Sequence, residues 1–301
     1  MGNKLLKYLI LIKKAYPEKN KQKKKTKQQQ NQLMKTIEEF YKKYNIEEFY
    51  TWQKDNIKKP IYPFRKEHKK LSFGMIPGHK NFDLFYERYI SPCEIWKEQG
   101  IIKNGFKILD IGSGQGFFKL FFEANFKEEI DWHGIEVWEG RTAFCKHIGY
   151  KMYDVNLENG VLPFEDGFFD IVLASHVLEH LPNPKEILLE MNRVCKSGGQ
   201  YLVATPTKLP GIAELDSFYH SISKKEIGET QQSFTHKSLE NFVLSTLSLT
   251  KKAIVDKRGF RIISARKKLP LENSKTFCRI SKYLGKRLMY LTPEINLIIR
   301  K

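Results

Sequence analysis

The chain has 301 residues, of which 41% are hydrophobic and 13% aromatic. That is ample for a sizeable core in one large or two small domains, and it excludes a disordered or low-complexity protein. The formal net charge of +18 is unevenly spread: residues 1–70 carry 20 basic and 7 acidic side chains, residues 71–220 carry 14 and 21, and residues 221–301 carry 18 and 6. An acidic middle between two basic flanks suits an anionic partner, either lipid head groups or nucleic acid, with plain solubility charge as the alternative.

Leu5 to Ile12 is apolar except for Lys7 and Tyr8, and a Lys/Gln tract follows to Gln32. The run is too short to span a bilayer and lacks a small-residue cleavage site. Residues 1–32 therefore read as a basic tail and linker that is either a short amphipathic helix on an anionic membrane surface or a frayed end. From 33 to 99 the apolar residues Leu33, Ile37, Phe40, Tyr41, Tyr44 and Phe49 recur at helical spacing. Pro60, Pro63, Pro77 and Gly78 break that pattern, and Asn81 to Gln99 is helical again. The four cysteines (Cys93, Cys145, Cys195, Cys278) form no CxxC pair, which points to a reducing, cytoplasmic setting, with or without peripheral membrane attachment.

Lys107 to Phe118 reads KILDIGSGQGFF. Ile108 to Ile111 is a buried strand with one carboxylate, Asp110, and Gly112, Gly114 and Gly116 follow at once as a tight turn before a helix over Gln115 to Asn125. A pyrophosphate-binding turn keeps its amides free for phosphate; here an acid directly before the glycines suits a ligand carrying an ammonium or sulfonium. With the downstream residues below, this stretch resembles motif I of the class I S-adenosylmethionine-dependent methyltransferases.

Strand and helix then alternate. Trp132 to Val137 is a second strand bearing Glu136, Glu139 to Gly149 a helix, and Lys151 to Val155 a third strand bearing Asp154. A carboxylate about 20 residues beyond the glycines, at a strand's carboxyl end, can take both hydroxyls of a ribose. Phe169 to Ser175 is a fourth strand, Pro184 to Cys195 a helix and Gln200 to Thr205 a fifth strand. The run from Leu162 to Pro206, with its LPF, FD and LEHLPNP elements, is similar to methyltransferases acting on small molecules, quinones and glycans. His236 to Leu249 is a helix, Gly259 to Ser264 a sixth strand, and Pro293 to Arg300 a closing strand. Phe277, Ile280, Tyr283, Leu284 and Leu288 lie on one helical face between the last two. The expected fold is α/β: a Rossmann-like, seven-stranded, mostly parallel sheet with helices on both faces over 100–301, and an N-terminal helical extension.

The resemblance implies roles. Asp110, Gly112, Ser113, Gly114 and Gly116 would hold the methionine end of S-adenosylmethionine, Glu136 the ribose, and Asp154 the adenine amine. Val137 or Val155 would pack on the adenine ring, and Ser175 and His176 would border the methyl group. Residues 33–99 would cap the cofactor site and meet the acceptor, with His79, Phe82, Tyr86 and Arg88 as candidates, and the polar insertion at 207–235 would act as a lid.

His176-Val177-Leu178-Glu179-His180 also fits H-x-x-E-H, a zinc signature. That reading needs a continuous helix, which Pro182 and Pro184 interrupt, so no metal is expected. His176 and His180 instead stand at a strand's carboxyl end as candidate general bases. Ala174-Ser175-His176-Val177 lacks the Asn/Asp-Pro-Pro-aromatic segment of base-amine methyltransferases. Oxygen methylation of a sugar, lipid-linked glycan or other small acceptor is therefore expected. Methylation of RNA on ribose or ring carbon and a non-catalytic cofactor-binding domain are the alternatives.

Overall fold

The computed structural model describes residues 82–137, 139–210, 212–213, 231–259 and 275–301. The basic tail, most of the helical cap with His79, and most of the insertion lie outside the described residues, as do the side chains of Phe82 and Tyr86.

Seven strands form one sheet: β1 (Phe106–Ile111), β2 (Ile130–Ile135), β3 (Lys151–Tyr153), β4 (Phe169–Ser175), β5 (Cys195–Pro206), β6 (Ile254–Arg258) and β7 (Glu294–Arg300). Their order is β3-β2-β1-β4-β5-β7-β6. β1 to β5 run parallel, while β7 is antiparallel to both β5 and β6. The mostly parallel, Rossmann-like sheet read from the strand–helix alternation is thus present, closed by an antiparallel pair.

Side chains alternate across the sheet, as the period of two requires. Ile108, Ile171 and Leu173 face one layer, where Ile90 and Trp96 of α1 (Phe82–Glu98), Phe118 and Phe122 of α2 (Phe117–Asn125) and Cys145 of α3 (Glu139–His147) are buried. Leu109, Ile111, Val172 and Ala174 face the other, packed by Ile187, Leu188 and Met191 of α4 (Pro184–Val194) and Leu239 and Val243 of α5 (His236–Thr246). Each fully buried aliphatic or aromatic side chain contributes roughly 1.5–3 kcal/mol, so the two layers clamp the sheet from both sides.

Helix α1 continues past Pro92. Proline has no N–H to give the carbonyl four residues back, and that carbonyl, Arg88 O, accepts from Asn296 Nδ2 on β7 at 3.0 Å instead. The missing helical bond is thereby replaced by one that ties α1 to the sheet. Arg258 Nη1 on β6 adds a second tie to Ser91 Oγ at 2.6 Å.

The sixth strand departs from the sequence reading. It lies at Ile254–Arg258, before Gly259, and residues 260–264 are outside the described residues. Its sequence, IVDKR, is half-exposed throughout. An edge strand pairs on one side only and commonly carries charge that discourages further pairing, which hides it from a search for apolar runs.

This topology gathers the carboxyl ends of β1 to β5 and the amino end of β7 along one edge. β1 lies between β2 and β4, and the crevice outside that reversal of strand order is where open α/β sheets bind ligands.

Candidate active site

Four amides of the turn after β1 donate to acceptors of the protein itself. Gly112 N and Ser113 N donate to Ile135 O at 2.8 and 3.1 Å, Gly116 N donates to Ser113 O at 2.9 Å, and Gly114 N donates to Glu136 Oε2 at 2.9 Å. Those amides are spent on the loop's shape, unlike those of a phosphate cradle. Gly112 and Gly114 both have positive φ, 67° and 58°, where a side chain is strained, but they differ in surroundings. A Cβ on Gly112 would lie 2.4 Å from Val177 Cγ2, whereas a Cβ on Gly114 meets nothing closer than 4.0 Å. Gly112 is therefore a packing contact with the segment after β4, and Gly114 borders open space.

Asp110, Ser113 and Glu136 are buried. Tyr150 Oη donates to Asp110 Oδ2 at 3.0 Å. Burial pushes the Asp110 carboxyl up to about 7, against the pull of Tyr150, and neighbouring Glu136 adds to the rise. The carboxylate thus lies below the turn, in the layer shared with α2 and α3. Glu136 follows β2 directly, and its Oε2 also takes Arg141 Nη1 of α3 at 3.3 Å. Val137 beside it is 54% exposed, an apolar side chain facing outward at the rim. Asp154 is exposed just past β3, while Val155 is half-buried and packs into the core. Ser175 ends β4, half-buried, one register step from the β1 turn because Ile111 pairs with Ala174.

Beyond Ser175 the chain turns sharply. His176 has φ 58°, a strained value for a residue with a Cβ, and its N–H donates to Ala204 O at 2.8 Å. Residues Leu178–His180 form one 3₁₀ turn, so the continuous helix demanded by the zinc signature is absent here. The His176 ring lies between two buried carboxylates, with Nδ1 3.4 Å from Glu179 Oε1 and Nε2 3.5 Å from Glu294 Oε2. Glu294 in turn pairs with Arg88 Nη2 of α1 at 2.5 Å. Burial and the Arg88 charge pull the His176 pKa down, but hydrogen bonding to Glu179 and Glu294 outweighs them and the net shift is upward. Both ring nitrogens face carboxylates, an arrangement that favours the protonated ring. His180 differs: its Nε2 is 3.8 Å from Glu179 Oε1 and its Nδ1 has no hydrogen-bond partner. Glu179 is 3% exposed, and its Oε1 lies between the two rings at those distances.

Comparison with known proteins agrees with this geometry. Residues 109–203 match a family described as "Methyltransferase domain". The chain carries a class I S-adenosylmethionine-dependent methyltransferase domain. A methyltransferase of uncharacterized activity from Mycobacterium marinum is 36% identical over 97 residues, covering 32% of this chain and 37% of its own. A demethylmenaquinone methyltransferase from Staphylococcus aureus is 31% identical over 142 residues (46% and 58%), and a ubiquinone biosynthesis O-methyltransferase from Dechloromonas aromatica is 29% identical over 130 residues (40% and 53%). The chain thus spans less than two thirds of the length of these relatives.

S-adenosylmethionine is the cofactor of such domains, and the residues present fit it. There is open space at Gly114, a carboxylate at the end of β2, and an outward apolar side chain in Val137. The matched stretch of the methyltransferase domain contains the glycine turn, Glu136, His176 and His180, but neither Arg88 nor Glu294. Arg88 was legible only as one polar residue of a capping helix. Glu294 carried no sequence signal, because its place depends on β7 running antiparallel so that its first residue reaches the edge where β5 ends, with Pro206 opposite Glu294. Tyr150 and Arg141, which serve Asp110 and Glu136, were likewise missed.

Proposed function

We propose that the protein transfers a methyl group from S-adenosylmethionine to a hydroxyl oxygen of a small or lipid-linked acceptor. The observation that carries this reading is the meeting of two parts at one edge. The glycine turn touches, through Gly112 and Val177, a segment holding two histidines and the buried carboxylate between them, Glu179. The names of two relatives, a ubiquinone biosynthesis O-methyltransferase and a demethylmenaquinone methyltransferase, support a ring-bearing, lipid-linked acceptor alongside the sugar or glycan acceptor expected from the sequence.

In this reading Asp110 and the turn from Gly112 to Gly116 hold the methionine end. Glu136 binds the ribose, Asp154 the adenine amine, and Val137 and Val155 the ring faces. The bound cofactor supplies a methyl carbon activated by a sulfonium, so the protein needs no covalent nucleophile and works by alignment and proton removal. His180 receives the acceptor's proton, with Glu179 beside it to balance the charge. His176, its ring held between Glu179 and Glu294, fixes Glu179 in place, and Ser175 borders the reacting atoms. The basic flanks hold the enzyme near an anionic surface where a lipid-linked acceptor resides. Among the described residues no helix is long and apolar enough to cross a membrane.

The test is incubation of the purified protein with a labelled methyl donor and lipid, glycan and RNA extracts, beside calorimetry with S-adenosylhomocysteine. Label in an alkali-stable ether of the lipid or glycan fraction is expected. Label in RNA alone would replace the acceptor assignment, and no binding of S-adenosylhomocysteine would remove the function altogether.

A further inference from the structure

The last helix, α6 (Lys275–Arg287), presents an outward face that the chemistry above does not use. Ser281 and Gly285 are buried and Leu284 is half-buried, so they mark the side packed on the protein. Arg279, Ile280, Tyr283 and Arg287 are exposed on the other side. At 100° per residue, Ile280 and Tyr283 form an apolar strip with Arg279 beyond Tyr283 on one side and Arg287 between the two. The Arg287 guanidinium lies 4.6 Å from the Tyr283 ring centroid. The strip continues past the helix end into a 3₁₀ turn, Met289–Leu291. Leu288 is 44% exposed, Tyr290 63% and Leu291 52%.

Three observations decide what such a face meets. Five large apolar side chains exposed on one short stretch exceed the scattered exposure usual on a soluble surface. From 275 to 293 the sequence has five basic residues, Lys275, Arg279, Lys282, Lys286 and Arg287, and no acidic one. Finally, the face is next to the acceptor half of the site. Thr292, directly after the turn, has its carbonyl bonded by Thr207 Oγ1 at 2.8 Å, and Glu294 follows two residues later. Tyrosines and leucines flanked by arginines, without acids, are the composition of a face that lies at the head-group level of an anionic bilayer. A protein partner would be recognised by shape and paired charge, and nothing in this stretch supplies the second sign of charge.

We propose that α6 and the turn after it form the membrane-docking face of the protein, seated on anionic lipid with Tyr283, Leu288, Tyr290 and Leu291 in the interface and Arg279 and Arg287 at the head groups. The face brings the edge bearing Glu294 and His176 to the lipid surface, which rests on the reading of the acceptor as lipid-linked. In the sequence it stands far from the basic tail at 1–32, so removal of that tail should leave it in place.

Co-sedimentation of the full-length protein with vesicles tests this, using phosphatidylcholine alone and phosphatidylcholine with about one third phosphatidylglycerol. Binding to the mixed vesicles, weak binding to the neutral ones, and release by salt are expected. Each arginine neutralised should weaken binding roughly fivefold, so Arg279→Gln with Arg287→Gln should approach 25-fold by the same principle. Tyr283→Ser with Leu291→Ser should also weaken it. Because these side chains are exposed, folding should survive, and circular dichroism with S-adenosylhomocysteine calorimetry on the same variants checks this. A chain lacking residues 1–32 should keep binding that is still sensitive to the arginine pair. Mixed-vesicle binding unchanged in both double variants, or no preference for anionic vesicles, would overturn the proposal. So would loss of structured-RNA binding in the arginine variant while wild type ignores vesicles at the same salt. Failure of wild type to bind S-adenosylhomocysteine would count against the methyltransferase function and leave the vesicle result standing by itself.

Discussion

The cofactor half and the acceptor half of the sheet edge are assembled in different ways. On the cofactor side, Asp110, the glycine turn and Glu136 lie within 27 residues of one another, and backbone bonds between the turn and β2 fix their positions. On the acceptor side, Arg88 and Glu294 are 206 residues apart and meet only because α1 packs over β7. The cofactor half is a local structure that tertiary packing supports. The acceptor half is a product of tertiary packing, and its charges balance only when all its contributors are present.

If that contrast holds, the largest effect should come from breaking the distant pair. Arg88→Met leaves the Glu294 carboxylate buried beside His176 without its guanidinium. Removing one partner of a buried ion pair costs roughly 3–5 kcal/mol, a fall in melting temperature on the order of 10 °C for a domain of this size. Arg88→Met with Glu294→Gln should recover most of it, since both charges are then gone. Affinity for S-adenosylhomocysteine should stay near wild type in the single variant. A parallel collapse of that affinity would show that the two halves are not separable.

The glycine turn gives the reciprocal experiment. Glu136→Ala should lower S-adenosylhomocysteine affinity on the order of tenfold, because a hydrogen bond to a charged group contributes roughly 1.5–3 kcal/mol. Gly114→Ala should also lose affinity and, although φ 58° strains any side chain, should cost less stability than Gly112→Ala, since its Cβ enters open space. Gly112→Ala should instead lower stability by roughly 1–3 kcal/mol, because φ 67° and the Val177 methyl both oppose it. Equal behaviour of the two glycine variants by calorimetry and thermal melting would erase the distinction between a packing glycine and a site glycine.

The same contrast explains what could be read in advance. Strands β1 and β4 and the turn announced themselves because buried parallel strands are nearly continuous apolar runs and their connections are short. Glu136 was legible by its distance from the glycines. β6 was not, because as an edge strand it carries Asp256, Lys257 and Arg258 where an apolar run was sought. The roles of His176 and His180 could not be separated by sequence, since the difference between them is made by Glu294, which stands 118 residues beyond His176.

A smaller effect tests how Asp110 sits under the turn. Its folded pKa is raised from 3.8 to about 7. A group raised in the folded state contributes stability that is fully present below its unfolded value and lost as pH rises through the folded one. The wild type should therefore give up stability between about pH 4 and pH 7 at this residue. Asp110→Asn, which has no proton to lose, should melt a few degrees higher relative to wild type at pH 8 than at pH 5. A melting difference independent of pH would mean that the carboxylate is solvated or paired as an anion.

The smallest expected change is in the titration of His176, read well below the melting temperature because the Glu294→Gln variant used for it also breaks the Arg88 pair. The ring faces Glu179 from its own turn, Glu294 from β7 and the Arg88 charge from α1, with His180 across Glu179. The two carboxylates win over burial and Arg88, so its pKa lies above 6.5. Stability from the charged ring is complete below that value and declines as pH rises past it, the same sign as for Asp110 but beginning at higher pH. Nuclear magnetic resonance of the ring nitrogens should show His176 still protonated where exposed histidines have titrated. Glu294→Gln should lower its pKa by removing one carboxylate and leaving the Arg88 charge uncompensated. The same substitution should leave Asp110 and the glycine turn as they were, because the bonds that hold them run to Tyr150, Ile135 and Glu136. An unmoved His176 titration in Glu294→Gln would mean that β7 does not set the charge of this half, and the base assignment would return to being open between the two histidines.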